Sequence, residues 1–198
     1  ATPEERSILL RFTGWGGKFE GSRDDRLVEG LLARGLFVRA SHRRIDWALE
    51  GGAIESDGAG TVLTTCRCLH QRHHTQSREH MDEALRDGLA ASRVSWLEHG
   101  YLEGDDTDAH IDTLARFAPD HAIVYQSCDD AADPHHGELA RMAQELAACI
   151  DETEETLKLA RAVVTARYDA DGHAQRKARQ ALAEQLRGLH RRIVGGEL

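Results

Sequence analysis

Aromatic residues make up only 5% of this 198-residue chain and there are three prolines, so its core has to be assembled from aliphatic side chains. Cysteine is scarce as well. The four present, Cys66, Cys68, Cys128 and Cys149, read as free thiols of a cytosolic protein and not as a disulfide framework. No apolar run approaches the ~20 residues that a membrane-spanning helix needs. The start, Ala1-Thr2-Pro3-Glu4-Glu5-Arg6, lacks a signal-peptide pattern. These absences predict a cytoplasmic protein without a membrane partner. An excess of basic charge is missing too: the formal net charge of -9 speaks against nucleic acid and favours a small cationic ligand.

What is present alternates between short strands and helices, which predicts an α/β fold. Ser7 to Phe12 reads as a strand running into Thr13-Gly14-Trp15-Gly16-Gly17-Lys18, where three glycines around a tryptophan signal an unusual backbone path. A helix from Asp24 to Arg34 follows, with Leu27 and Leu31 facing inward beside Val28 and Leu32. A short strand over Leu36 to Arg39 comes next. The segment Ile45 to Gly58 reads as two strands broken at Gly51-Gly52, which leaves Glu50 at a strand end. Asp57-Gly58 and Gly60 mark a hairpin into a strand from Thr61 to Cys68. Ser77 caps a helix with Met81, Leu85 and Leu89 as its inner stripe. Strands at Ser92 to Leu97 and His121 to Gln126 flank an acidic loop, and a helix runs from Asp133 to about Cys149.

Beyond Ile150 the pattern changes. Asp151 to Arg167 and His173 to Val194 carry helical stripes, one of them Leu157, Ala160 and Val164, joined by a turn-like segment. This predicts a domain over residues 1–148 and a helical hairpin tail over 149–198, which packs on the domain, pairs with a second copy or forms a poorly folded extension.

The stretch Gly104 to Phe117 carries the chemistry. If it is extended, Asp108, His110 and Asp112 share one face, a carboxylate, imidazole, carboxylate row that can grip a cation and move a proton beside it. The same composition also suits a solvated acidic loop.

Three motifs, Trp15-Gly16-Gly17-Lys18-Phe19, Leu49-Glu50-Gly51-Gly52-Ala53-Ile54-Glu55-Ser56-Asp57-Gly58 and Asp106-Thr107-Asp108-Ala109-His110-Ile111-Asp112, together resemble the agmatine deiminase family, which includes the bacterial-type peptidylarginine deiminases. The resemblance runs from about Phe12 to about Glu145 and implies a pentein fold, a propeller of repeated αβ units, of which this chain would hold the central part. It implies hydrolysis of a guanidinium: agmatine and water give N-carbamoylputrescine and ammonia on the way to putrescine. By resemblance, Glu50 and Asp112 bind the guanidinium, His110 is the general acid and base, and Asp108 and Trp15 contribute to substrate binding. Neither a metal nor an organic cofactor is required. The family's nucleophilic cysteine, in a glycine-rich segment before an Ile-His-Cys sequence, has no match here. Neither does its upstream Arg-Asp segment. Two rival expectations remain: a noncatalytic module that binds a guanidinium or a partner, and a metal site in Cys66-Arg67-Cys68-Leu69-His70-Gln71-Arg72-His73-His74.

Overall fold

The apolar run Ile8-Leu9-Leu10 is the centre of strand β1 (Arg6–Arg11), which pairs in parallel with β2 (Ser41–Ala48). Their register slips between Leu10 and Arg11, so that Arg11 faces Ala48 and the end of β2 turns inward. Ala48, Leu49 and Glu50 are all buried there. The computed structural model describes residues 6–36, 41–118, 122–151 and 158–163, and the α/β chain divides into two compact units, Ala1–Leu114 and Ala115–Leu198.

Between β1 and β2 the chain makes a single turn, α1 (Gly14–Gly17), and two short helices, α2 (Ser22–Asp25) and α3 (Leu27–Ala33). The predicted continuous helix from Asp24 is thus broken at Arg26. Asp25 explains the break: its carboxylate accepts the backbone N–H of Phe12 and pairs with Arg44, which ties α2 to the strands. Leu27 and Val28, expected inside, are exposed. The strand expected over 36–39 lies, from residue 37 onward, outside the described residues.

Gly51–Ala53 forms one 3-10 turn, after which β3 (Ile54–Ser56) and β4 (Thr61–Thr65) make the predicted hairpin. Asp57 Oδ1 closes its loop by accepting the N–H groups of Ala59 and Thr61. β4 does not continue to Cys68. Thr65 caps a helix, α4 (Cys66–Arg72), because its hydroxyl accepts the N–H of Cys68. The α5 helix (Arg78–Leu89) starts at Ser77 as expected and leads to β5 (Arg93–Leu97), parallel to β4. Met81 and Leu85 on α5 join Trp47, Leu49, Cys68, Leu69 and Trp96 in the core of this unit. Burying each such aliphatic side chain stabilises the fold by about 2 kcal/mol.

The second unit repeats the plan. After α6 (Ile111–Leu114) closes the first unit, β6 (Ala115–Ala118) runs antiparallel to β7 (Ala122–Ser127), and α7 (His136–Asp151) leads to β8 (Lys158–Val163), parallel to β7. The orders β3-β4-β5 and β6-β7-β8 match in sequence and sense. Residues 158–163 are therefore strand, not the helix that their spacing predicted. The reason is that a short apolar run fits either period, and here β7 offers an edge that pairs from Ala122↔Lys158 to Ser127↔Val163. Residues 149–151 of the expected tail are the end of α7, and the remainder, Leu157 and Val164 included, lies outside the described residues. Among the described residues no helix is long and apolar enough to cross a membrane.

Candidate active site

Residues Gly104 to His110 are not extended. Asp105 folds them into a loop, its carboxylate accepting the N–H and hydroxyl of Thr107 and the N–H of Ala109, while Asp108 and Ala109 take left-handed φ of 56° and 62°. The period-two alternation therefore does not operate, and α6 begins immediately after His110. Asp108 pairs with Lys18, its Oδ1 3.0 Å from Nζ, which also donates to the carbonyl of Asp106.

His110 nonetheless meets both Glu50 and Asp112. The end of β2 delivers Glu50, buried, with Oε2 3.4 Å from His110 Nε2, and Asp112 Oδ1 lies 4.0 Å from His110 Nδ1. Gly52 makes this approach feasible: a Cβ there would stand 2.5 Å from His110 Nδ1. Thr65 fixes the other side, donating to the carbonyl of Ala109 at 2.6 Å.

Trp15 sits in α1, where four successive residues from Gly14 to Gly17 have positive φ. Its ring packs edge-on against Phe12 and Phe19, and the turn is tied to the site through Thr13, whose hydroxyl donates to Glu50 Oε1 at 3.3 Å. Gln71 of α4 donates to the carbonyl of Gly16.

Arg72 is the residue that sequence reasoning missed. Its side chain is 0% exposed, with Nε donating to Glu50 Oε2 at 2.9 Å, Nη2 to the carbonyl of Thr107 at 3.1 Å, and Nη1 to that of Cys68 at 3.3 Å. Nη2 also lies 3.3 Å from His110 Nε2. The signal was there in part. Once Thr65 is read as a helix cap, Cys68 and Arg72 fall at i and i+4 on one face of α4.

Burial acts to raise the Glu50 pKa, but the His110 hydrogen bond and the Arg72 charge outweigh it and hold this carboxyl below its ordinary value. One imidazole nitrogen, His110 Nε2, thus faces both a donor on Arg72 and an acceptor on Glu50. An N–H there suits Glu50, and a lone pair suits Arg72.

Ligand atoms of Glu50, Cys68 and His110 lie within 4.8 Å of one another, a set suited to a soft dication, but the Arg72 guanidinium already supplies positive charge against two of the three. Burial pushes the Cys68 thiol up to about 12. The metal cluster expected from the sequence does not gather. His70 Nδ1 bonds the carbonyl of Cys66, and His73 stacks on Trp47 with Nε2 2.8 Å from the carbonyl of Ala48.

Residues 2–186 match the family model described as Porphyromonas-type peptidyl-arginine deiminase. The agmatine deiminase of Pseudomonas aeruginosa (strain LESB58) is 37% identical over 139 residues, covering 66% of this chain and 37% of that protein. A cysteine-to-serine variant of C. jejuni agmatine deiminase with substrate bound superposes with a TM-score of 0.75 at 29% identity, over 85% of this chain and 50% of that one. The agmatine deiminase of Enterococcus faecalis gives 0.70 at 26% identity, over 83% and 46%. The chain spans half or less of the length of each of these relatives. By the extent of the family match, this chain belongs to the Porphyromonas-type peptidyl-arginine deiminase family.

Proposed function

We propose that this chain carries the guanidinium-binding and proton-transfer part of a guanidine hydrolase of the agmatine deiminase type. Agmatine, or a peptidyl arginine, is the substrate, ammonia leaves, and with agmatine the other product is N-carbamoylputrescine, which leads toward putrescine. The supporting observation is the buried meeting of Glu50 with His110, 3.4 Å apart, with Asp112 on the far side of the ring. A guanidinium is flat and delocalised, so carboxylates beside it both hold it and orient its carbon toward an attacking group. His110 protonates the departing ammonia and then activates water. Asp108 and Trp15 bound the substrate side. The two matching β-β-β repeats are read as blades of the pentein propeller, and the enzyme works in the cytoplasm.

Attack on the guanidinium carbon needs a thiolate. Cys68, the thiol beside Glu50 and His110, stays protonated at neutral pH because burial holds it near about 12. That favours a second reading, in which this chain alone binds a guanidinium without turning it over. Calorimetry with agmatine, a blocked arginine amide and putrescine, run beside an ammonia assay, tests both readings. Agmatine should bind, putrescine should not, and Glu50→Gln should abolish binding. Equal affinity for putrescine, or no agmatine binding, rejects the guanidinium site. Ammonia release that disappears in His110→Ala establishes turnover by the chain itself.

A further inference from the structure

The Glu50 carboxylate that should receive a guanidinium already holds one. Arg72 Nε takes Oε2 at 2.9 Å, His110 Nε2 shares that oxygen, and the Thr13 hydroxyl takes Oε1. The Arg72 fork is fully buried and bonded on all three nitrogens, two of them to the backbone carbonyls of Cys68 and Thr107. A second cation cannot share Oε2 at that range without repulsion from the first. Arg72 is the last residue of α4, and its successor His73 has already left the helix, with φ of −130° and ψ of 45°. The guanidinium is therefore held by the last residue of α4, so its release need not break the hydrogen bonds of the middle of that helix.

We propose that Arg72 is a built-in competitor that selects the ligand. A cation reaches Glu50 only by replacing the Arg72 fork. A flat guanidinium can reproduce the paired N–H contacts to Glu50 Oε2 and the Thr107 carbonyl, whereas an ammonium, with one compact charge, cannot. This inference rests on the reading of Glu50 and His110 as a guanidinium site and adds what must leave before the site fills. It also accounts for a buried arginine whose partners are those the substrate would use.

The test is nuclear magnetic resonance on the full chain labelled with 15N-arginine, following the Arg72 Nε–H. In the free protein this proton should be protected from exchange. Saturating agmatine should move its signal to the position of free arginine and quicken exchange at least tenfold. Arg72→Met, which keeps the alkyl packing and removes the fork, should bind agmatine at least tenfold more tightly than the wild type. Its discrimination against putrescine should narrow by a similar factor. An agmatine complex in which the Arg72 Nε–H stays protected, or an Arg72→Met protein that binds no more tightly, overturns the competitor role and leaves the guanidinium site standing. If neither wild type nor Arg72→Met binds agmatine, the site reading falls as well. The resonance arm uses the wild type, so it stands even if the variant fails to fold.

Discussion

Gly52 and His110 are in contact across the site: a β-carbon on Gly52 would lie 2.5 Å from His110 Nδ1, and 2.8 Å from Asp112 Oδ2. The Gly51-Gly52 break thus lets a strand end and a loop approach closely enough for His110 to lie between Glu50 and Asp112.

Gly52→Ala should therefore displace the imidazole and the Asp112 carboxylate together. Overpacking of this kind costs about 1–3 kcal/mol. Urea unfolding should show a loss in that range while agmatine affinity drops at least tenfold. Gly51→Ala is the control, since nothing lies within 4 Å of a Cβ there, and it should change agmatine affinity by less than twofold.

Thr65 holds two parts of the site through one hydroxyl, capping α4 at Cys68 and donating to the Ala109 carbonyl. Thr65→Val keeps the shape but leaves both backbone groups without that partner, at a cost of about 2 kcal/mol. The His110 ring resonances should shift in the same variant, because Ala109 precedes His110. Unchanged His110 signals would show that the loop holds its position without Thr65.

Glu50 and Arg72 form a buried ion pair with side chains 4% and 0% exposed. Removing one partner strands the other, so Glu50→Gln should destabilise by about 3 kcal/mol. The double variant with Arg72→Met should lose less than the sum of the single losses. The folded Glu50 pKa lies below its ordinary 4.5, so its stabilisation is fully present above that value and is lost as pH falls through the lower folded value. Urea midpoints from pH 7 to 3 should fall more steeply for the wild type than for Glu50→Gln, the other carboxylates being common to both.

His73 is buried against Trp47, their rings stacked at 4.2 Å, and burial lowers its pKa from 6.5 despite the Ala48 carbonyl. Its folded value lies below the unfolded one, so the unfolded chain binds the extra proton first. The neutral ring's contribution is complete above pH 6.5 and declines as pH falls toward the folded value. His73→Gln carries no titrating group and should flatten the change in stability between pH 7 and 5. An equal slope in both proteins would place that dependence on other histidines.

Much of this fold was legible because local chemistry and tertiary packing agree. Ser77 caps α5 and Asp57-Gly58 turns the hairpin through contacts within a few residues, and the helical spacing of Met81 and Leu85 already marked the face that fills the core. The proximity of Glu50 and Asp112 to His110 agrees with the motif resemblance, although the alternation first invoked for the acidic row does not produce it. Local pattern failed where it fits two structures. Residues 158–163 suit a helix or a strand, and only the open edge of β7 decides. The segment after Thr65 suits a longer strand or a capped helix, and the joint use of the Thr65 hydroxyl by Cys68 and Ala109 decides.

The amino-acid sequence by itself determined the α/β class, most of the strands and helices, and the presence of acids and an imidazole in three short motifs, because these depend on residue type and short spacing. Only the tertiary structure decided that Asp108 turns to Lys18, that Gly52 admits His110, and that Arg72 occupies the carboxylate of Glu50. Those are contacts between residues 22 to 90 positions apart, apart in the chain and joined only when the sheets and loops pack, and no local period encodes them.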